Sequence, residues 1–199
     1  MRLCVFAGSS PGANPNYVRE AQKLGALLAK RKIGLVYGGA SVGLMGAVAD
    51  AALEGGGEVI GVIPKSLLAR EIAHKQLSEL RIVSSMHERK ATMAQLSEGF
   101  IAIPGGIGTL EEIFEIWTWR QLGEHEKPCA LLNTDDYYSP LLAFIDRVVT
   151  EAFVEPAHRE MLLVDADPER LLDRMKPMCR LSSLNGLEEA SARRNRIRR

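Results

Sequence analysis

Glycine-rich turns divide the chain where short apolar runs give way to longer amphipathic segments. Apolar runs without polar alternation are typical of strands that are buried on both faces, as in a parallel sheet covered by helices. Alternation of such runs with amphipathic segments predicts successive strand–helix units. The sequence therefore predicts an α/β fold, a doubly wound, mostly parallel Rossmann-like sheet with helices on both faces, in which ligands bind beyond the C-terminal strand ends.

Individual elements follow from the same pattern. The first helix is expected to have Asn14 as its N-cap and Pro15 in its first turn, since both residues are common at helix starts. Further helices are predicted over Gly43–Glu54, Met86–Ser97, Leu110–Leu122 and Pro140–Ala152. Strands are predicted at Leu3–Phe6, Leu35–Tyr37, Val59–Ile63, Leu80–Val83, Phe100–Ile103 and Ala130–Leu132.

Length and composition indicate one domain with a basic tail. A chain of 199 residues with 46% hydrophobic content can bury one full core, so we expect a single domain over residues 1–179. The formal net charge is zero, but the last 20 residues hold six Arg and two Glu. This tail over residues 180–199 is expected to be a disordered, solvated terminus, with no nucleic acid or membrane as partner.

The cysteines and the apolar segments indicate a cytoplasmic protein. Cys4, Cys129 and Cys179 are odd in number, far apart and without the C-x-x-C spacing of metal or redox sites, so we expect no metal and a reducing compartment. The apolar run at the N-terminus is too short for a signal peptide. No stretch approaches the 18 apolar residues that a membrane span needs.

Two glycine loops each lead into a predicted helix, at residues 38–43 and 104–109. Glycines let backbone N–H groups approach a ligand, and a helix N-terminus attracts negative charge, so a phosphate between the loops is expected. Either loop taken alone is equally well explained as a tight turn. A P-loop is excluded because Leu44 follows Gly43, and a dinucleotide fingerprint is excluded because Glu111 occupies its third glycine position.

Charged residues near these loops have both functional and structural explanations. Arg89 and Lys90 lie early in a predicted helix, where cations oppose the helix dipole at a cost of up to roughly 1 kcal/mol. The pair suits a phosphate or a carboxylate partner, and an exposed basic pair on a solvated helix face is the alternative. Glu112 could orient water or bind ribose, but the run from Thr109 to Glu112 also matches a capping box. Glu71 lies in a polar stretch that could form a rim.

Taken together, the runs Gly38–Gly46, Met86–Lys90 and Pro104–Glu112 closely resemble the LOG family of cytokinin riboside 5′-monophosphate phosphoribohydrolases. The most specific element pairs M-H-x-R-K with P-G-G-x-G-T-x-x-E. The resemblance covers roughly residues 1–175. One departure from the family is Ala40, which stands where the family's first glycine loop carries a third glycine.

The resemblance implies hydrolysis of the N-glycosidic bond of AMP or N6-isopentenyl-AMP to a free base and ribose 5-phosphate, without a cofactor. It implies Arg89 and Glu112 as catalytic residues, and a homodimer with the active site near the subunit interface. The implied substrate-binding residues are Gly8, Ser9, Gly38, Gly39, Gly43, Glu71, Lys90, Gly105, Gly106, Ile107, Gly108, Thr109, Leu110, Glu111 and Thr118.

Two other functions remain open on the sequence. A lysine decarboxylase would need a pyridoxal phosphate Schiff base, with Lys90 as the nearest candidate, but the chain offers no recognisable partner for the pyridine nitrogen. A non-catalytic nucleotide-binding or carrier module could use the same glycine loops. The presence of both Arg89 and Glu112 argues against a module that only binds.

Overall fold

A computed structural model describes residues 1–68 and 73–179 of the chain. Its seven strands form one sheet in the order β4-β3-β2-β1-β5-β6-β7, and every neighbouring pair is parallel. The strands are β1 (Arg2–Phe6), β2 (Gly34–Tyr37), β3 (Val59–Pro64), β4 (Glu79–Val83), β5 (Phe100–Ala102), β6 (Cys129–Leu132) and β7 (Leu162–Asp165).

Helices lie in most of the connections between strands and cover the sheet. They are α1 (Pro15–Lys30), α2 (Gly43–Glu54), α3 (Met86–Leu96), α4 (Ile107–Gln121), α5 (Ser139–Thr150), α6 (Pro156–Glu160) and α7 (168–179). A short 3-10 helix at Thr134–Asp136 precedes α5. Each strand-to-strand crossover is long enough for a parallel connection.

Two apolar cores flank the sheet, one on each face. On one face, side chains of α1, α2 and α7 pack against alternate residues of the central strands, with Leu24, Val48 and Leu171 fully buried. On the other face, α3, α4 and α5 contribute buried residues such as Met93 and Ile113. Because both faces are covered, the central strands are apolar throughout, which confirms the doubly wound α/β prediction.

The direction of winding reverses between β1 and β5. The chain builds outward from β1 to β4 on one side, and then returns to add β5, β6 and β7 on the other side. In open α/β sheets, this reversal opens a crevice outside the C-terminal strand ends, where ligands bind. The loops that follow β1 and β5 therefore border the crevice.

The six predicted strands are confirmed within one or two residues at each end, and Asn14 caps α1 by accepting a hydrogen bond from the Asn16 amide at 2.9 Å. Four elements were not predicted: β7, α6, α7 and the 3-10 helix at Thr134–Asp136. In α7, Leu171, Leu172 and Met175 are buried, so the helix belongs to the core. The predictions for Glu71 and for the tail at residues 180–199 fall outside the described residues, and the single-domain assignment stays a prediction.

The three cysteines are free thiols, and all are buried. Within the described ranges, no helix is both long and apolar enough to cross a membrane. The same residues contain no group of three or more His, Cys, Asp or Glu side chains arranged to hold a metal ion.

Candidate active site

The loops after β1 and β5 meet at the crevice. The Gly8 N–H donates to the Pro104 carbonyl at 3.1 Å, and a Cβ on Gly8 would lie only 3.2 Å from Gly105 Cα. Glycine at position 8 thus allows the two loops to touch. Between them lies a cleft of about 260 Å³, lined by Gly8, Ser9, Ser10, Gly12, Tyr17, Leu44, Pro104, Gly105, Gly106 and Tyr137.

The N-terminus of α2 is already occupied by protein. The Gly8 carbonyl accepts hydrogen bonds from the Leu44 and Met45 amides at 3.0 and 3.2 Å, which are first-turn donors of α2. Gly43 has φ of 62°, and a Cβ there would lie 2.3 Å from the carbonyl carbon of Ser9. The 38–43 loop therefore joins α2 to the loop after β1, and it does not offer these two amides to a phosphate.

The N-terminus of α4 is open by contrast. Gly106 is the N-cap, with no side chain capping the helix, and Ile107 at the first helical position is 82% exposed. A Cβ built on Gly106 or Gly108 would meet nothing within 4 Å. An uncapped helix start with exposed backbone is a favourable place for an anion, since first-turn N–H groups lack intrahelical acceptors.

The capping-box prediction is wrong, because α4 begins two residues before Thr109. Thr109 is the third residue of the helix and Glu112 is the sixth, so the Glu112 carboxylate is not at the capping position. Thr109 is buried instead, and its Oγ1 lies 2.2 Å from where a Cβ on Gly105 would be. Glu112 is half-buried on the second turn.

Arg89 is buried at the C-terminal ends of two strands, with only 5% of its surface exposed. Its Nε donates to the Val62 carbonyl and its Nη2 donates to the Gly38 carbonyl, both at 3.1 Å. Glycine is needed at position 38 because a Cβ there would lie 2.1 Å from Nη2. The guanidinium is therefore fixed by the backbone of β3 and of the residue that follows β2.

Lys90 points away from Arg89, toward α4. Its Nζ donates to Glu111 at 2.5 Å and to Glu115 at 3.1 Å, and the side chain is nearly buried. Burial by itself would lower the pKa of Lys90, but the hydrogen bonds and negative charges of Glu111 and Glu115 outweigh burial and raise the pKa. The sequence left open whether Lys90 binds a phosphate or a carboxylate. In the structure it binds two carboxylates.

Arg89 and Glu112 both influence one buried side chain of β1, that of Cys4. Burial raises the pKa of the Cys4 thiol, the Glu112 carboxylate raises it further, and the Arg89 guanidinium lowers it. Both charged groups therefore lie within electrostatic range of this one side chain on the α3 and α4 face of the sheet. The fold brings the two predicted catalytic residues, which are 23 positions apart in sequence, to one region.

Three other predicted residues make contacts outside the glycine loops. Leu110 packs against the core, and Glu111 is engaged with Lys90. Thr118 is exposed, and its hydroxyl donates to the Phe114 carbonyl at 2.7 Å. It lies eleven residues from the start of α4, about 16 Å along the helix axis. Within one chain, the fold does not bring Thr118 to the glycine loops.

Sequence reasoning missed two tyrosines that brace the loop after β5. The Tyr137 hydroxyl donates to the Gly105 carbonyl at 2.5 Å, and the Tyr138 hydroxyl donates to the Ile103 carbonyl at 2.7 Å. Both tyrosines lie in the segment after β6, the strand that neighbours β5 in the sheet. No motif marked them, although their position after a strand at the ligand-binding edge was a usable signal.

Comparison with known proteins identifies the family. The family model described as "Possible lysine decarboxylase" matches residues 45–175. The chain is 52% identical to the cytokinin riboside 5′-monophosphate phosphoribohydrolase of Rhodococcoides fascians over 84% of this chain and 85% of that protein. These two matches identify the family as the LOG family. The chain belongs to it.

Plant members of the LOG family are equally similar. The Arabidopsis thaliana enzyme LOG7 is 50% identical over 88% of this chain and 81% of its own length. The probable rice enzyme LOGL2 is 51% identical over 88% of this chain and 72% of its own length. These identities extend over more than four fifths of this chain, so the resemblance inferred from the sequence motifs is confirmed.

Solved structures share the fold at lower identity. A molybdenum cofactor binding protein from Rippkaea orientalis superposes with a TM-score of 0.67 at 23% identity, over 89% of this chain and 96% of that one. The molybdenum cofactor carrier protein of Chlamydomonas reinhardtii gives the same TM-score at 21% identity, with the same coverage of both chains. At these identities the likeness shows the fold alone.

Proposed function

We propose that this protein is a nucleoside 5′-monophosphate phosphoribohydrolase of the cytokinin-activating type. It cleaves the N-glycosidic bond of AMP or N6-isopentenyl-AMP and releases the free base and ribose 5-phosphate. The observation that carries the proposal is the construction of α4, which combines an uncapped, exposed N-terminus with the Glu112 carboxylate on its second turn. The names of relatives that are about half identical support the same activity.

The spacing on α4 suits a ribose 5-phosphate. First-turn amides at residues 107–109 and Glu112 are separated by about 5 to 7 Å along the helix axis. Helical side chains lean toward the N-terminus, so the carboxylate is directed back toward the helix start. A phosphate bound at the first-turn amides would then place the sugar ring beside Glu112.

Glu112 supplies the chemistry at the anomeric carbon. Water adds to C1′ while the C1′–N9 bond breaks, so the sugar passes through an oxocarbenium-like state that a nearby carboxylate stabilises. The water proton passes to Glu112, the departing base takes up one proton from solvent at a ring nitrogen, and Glu112 then releases its proton to solvent. The products are the neutral base and ribose 5-phosphate, with no change of oxidation state.

Arg89 supplies a fixed positive charge in the proposed mechanism. Two of its five N–H donors are held by the Val62 and Gly38 carbonyls, so the guanidinium does not need to reorganise when substrate binds. It is placed to hold the phosphate or a ribose hydroxyl. Catalysis is then largely positioning and electrostatics.

The residues present do not fit pyridoxal phosphate. A Schiff-base lysine needs a free amine, but the Lys90 ammonium is bound to Glu111 and Glu115, which raise its pKa. The only lysine that the sequence pointed to is therefore occupied between two helices.

Base release from a panel of nucleotides tests the proposal. Purified protein is incubated with AMP, N6-isopentenyl-AMP and the corresponding nucleosides, and free base is measured by chromatography. We expect release from the monophosphates and little from the nucleosides, because the phosphate provides binding energy for positioning. Nucleotide binding without base release would instead support the carrier function.

Two glutamates on the same helix provide a matched pair of variants. Glu112→Gln is expected to lower kcat by at least about 100-fold, in the range of general acid–base contributions, while the melting temperature stays near that of the wild type. Glu115→Gln removes a carboxylate three residues away that binds Lys90, and it should retain most of the activity. Near-normal adenine release by Glu112→Gln would refute the catalytic role of Glu112.

The homodimer and the cytoplasmic location remain predictions, as do the individual substrate contacts. We propose that two copies associate with their active sites near the interface. Light scattering after size-exclusion chromatography tests the dimer directly: it should give twice the 21.8 kDa mass of one chain.

A further inference from the structure

The carbonyl groups of the loop before α4 are each held by a donor from another part of the chain. Tyr138 donates to the Ile103 carbonyl, the Gly8 amide donates to the Pro104 carbonyl, and Tyr137 donates to the Gly105 carbonyl. The next carbonyl, that of Gly106, accepts from Leu110 as the first turn of α4 forms. Successive peptide planes are thus fixed.

A fixed carbonyl also fixes the N–H group of the same peptide. Peptide bonds are planar, and the described chain has no cis peptide, so the C=O and N–H of one unit point in opposite directions. When Tyr137 holds the Gly105 carbonyl, the N–H of Gly106 must point away from Tyr137. Gly106 is the N-cap of α4, so this N–H adjoins the first-turn amides.

From this geometry we infer that Tyr137 is a positioning residue for phosphate binding, acting through the Gly105–Gly106 peptide. The inference rests on the proposed function, because it concerns the phosphate of that substrate. Tyr137 does not need to touch the substrate. Its hydroxyl determines whether the Gly106 N–H is aligned with the open end of α4, and consecutive aligned amides form a concave anion site.

The surroundings of Tyr137 are built to hold it in place. Its ring packs edge-on against Tyr17 at a centroid distance of 5.6 Å and against Tyr138 at 4.9 Å. The turn before it contains two non-glycine residues with positive φ, Asp135 at 48° and Asp136 at 58°. Such strained conformations persist only where the surrounding contacts impose them, and they are frequent at functional sites.

Hydrogen bonds from α1 anchor this strained turn. The side-chain amides of Asn14 and Asn16 donate to the Asp135 carboxylate at 2.7 and 2.9 Å. The start of α1 therefore fixes the turn, the turn fixes Tyr137, and Tyr137 fixes the peptide at the start of α4. This chain of contacts connects three loops at the crevice.

Tyr138 provides an internal control of the same chemical type. Its hydroxyl holds the Ile103 carbonyl, which belongs to the peptide between Ile103 and Pro104. Proline has no backbone N–H, so this peptide presents no donor to a phosphate whichever way it is turned. Tyr138 is also almost fully buried, whereas Tyr137 is 38% exposed. Loss of the Tyr138 hydroxyl should affect stability and not anion binding.

The test compares Tyr137→Phe and Tyr138→Phe in the full-length protein. Binding of ribose 5-phosphate is measured by calorimetry, AMP hydrolysis by adenine release, and stability by thermal unfolding. For Tyr137→Phe we expect the Kd for ribose 5-phosphate and the KM for AMP to rise about five- to tenfold, as for the loss of one aligned hydrogen bond. We expect kcat to change by less than about twofold, because the phosphate is bound alike in ground and transition states.

For Tyr138→Phe we expect a lower melting temperature, because the buried Ile103 carbonyl loses its hydrogen-bond donor. We expect the Kd and the KM to stay unchanged. An unchanged Kd in Tyr137→Phe, or an equal rise in both variants, would overturn the inference. If wild-type protein binds ribose 5-phosphate but releases no adenine from AMP, the proposed function fails while the ratio of Kd values still decides the function of Tyr137.

Discussion

Replacement of Gly38 by alanine should displace Arg89. The new Cβ would lie 2.1 Å from Nη2 of the guanidinium and 3.0 Å from the Met45 sulfur, and ordinary contact begins near 3.4 Å. The guanidinium must therefore move by more than about 1 Å, a displacement that costs on the order of 100-fold in rate when a positioned group is involved. Backbone strain does not contribute, because Gly38 is absent from the glycines with positive φ.

The expected result is a fall in kcat/KM for AMP of about 100-fold, equivalent to about 2.8 kcal/mol of transition-state stabilisation. Adenine release gives kcat/KM, and urea unfolding gives the stability. Gly123→Ala serves as a matched control, because its φ of 79° imposes strain but its Cβ would meet nothing within 4 Å. This control should lose about 1 kcal/mol of stability and keep its activity.

A double-mutant cycle identifies the cause. If Gly38→Ala acts through the guanidinium, its effect on the free energy of unfolding should largely disappear in an Arg89→Ala background, because the clash is gone. Equal destabilisation by Gly38→Ala in both backgrounds would refute the reasoning. So would normal kcat/KM in the single variant.

Two further predictions concern stability. Lys90→Met should lower the free energy of unfolding by about 1–2 kcal/mol, because Glu111 and Glu115 lose their shared cation. Lys90→Arg should recover part of this loss. Equal stability of all three proteins in urea would contradict the ion-pair assignment. Burial lowers the pKa of His125 from 6.5 to about 4, although its hydrogen bond to the Ile116 carbonyl opposes the shift. Between pH 6.5 and 4 the unfolded chain binds a proton that the folded chain does not, so stability should fall on acidification by at most about 1.4 kcal/mol per pH unit, and His125→Gln should flatten this slope.

The sequence predicted the sheet well because its signal is local. Strands such as β2 and β3 are continuous apolar runs ended by glycine or proline, and this composition has few alternatives in a chain of this size. The edge strand β7 escaped prediction although Leu162, Leu163 and Val164 are apolar, because a run this short does not by itself distinguish a strand from a buried helical segment. Its parallel pairing with β6 depends on tertiary contacts.

The sequence pointed to residues that the fold places near the crevice, but it did not predict their geometry, and their individual roles stay predictions. The start of α4 was misplaced because Gly106 and Gly108 suggested a loop, whereas Gly108 is helical and Gly106 is the extended N-cap. Whether helix amides are free is also invisible in sequence. The amides of Leu44 and Met45 are taken by Gly8, and only the folded chain shows this.

Arg89 and Lys90 are neighbours in sequence, yet they connect to opposite halves of the sheet. Arg89 binds carbonyls of the half built by residues 1–83, while Lys90 binds α4, which belongs to the half built later. A chain divided at the exposed serines 84 and 85 would leave the two carbonyl acceptors of the guanidinium on one fragment. Arg89 and Glu112, the two residues proposed to be catalytic, would lie on the other fragment. Base release from such a fragment pair would report their reassembly, so the enzyme is suited to serve as a split reporter.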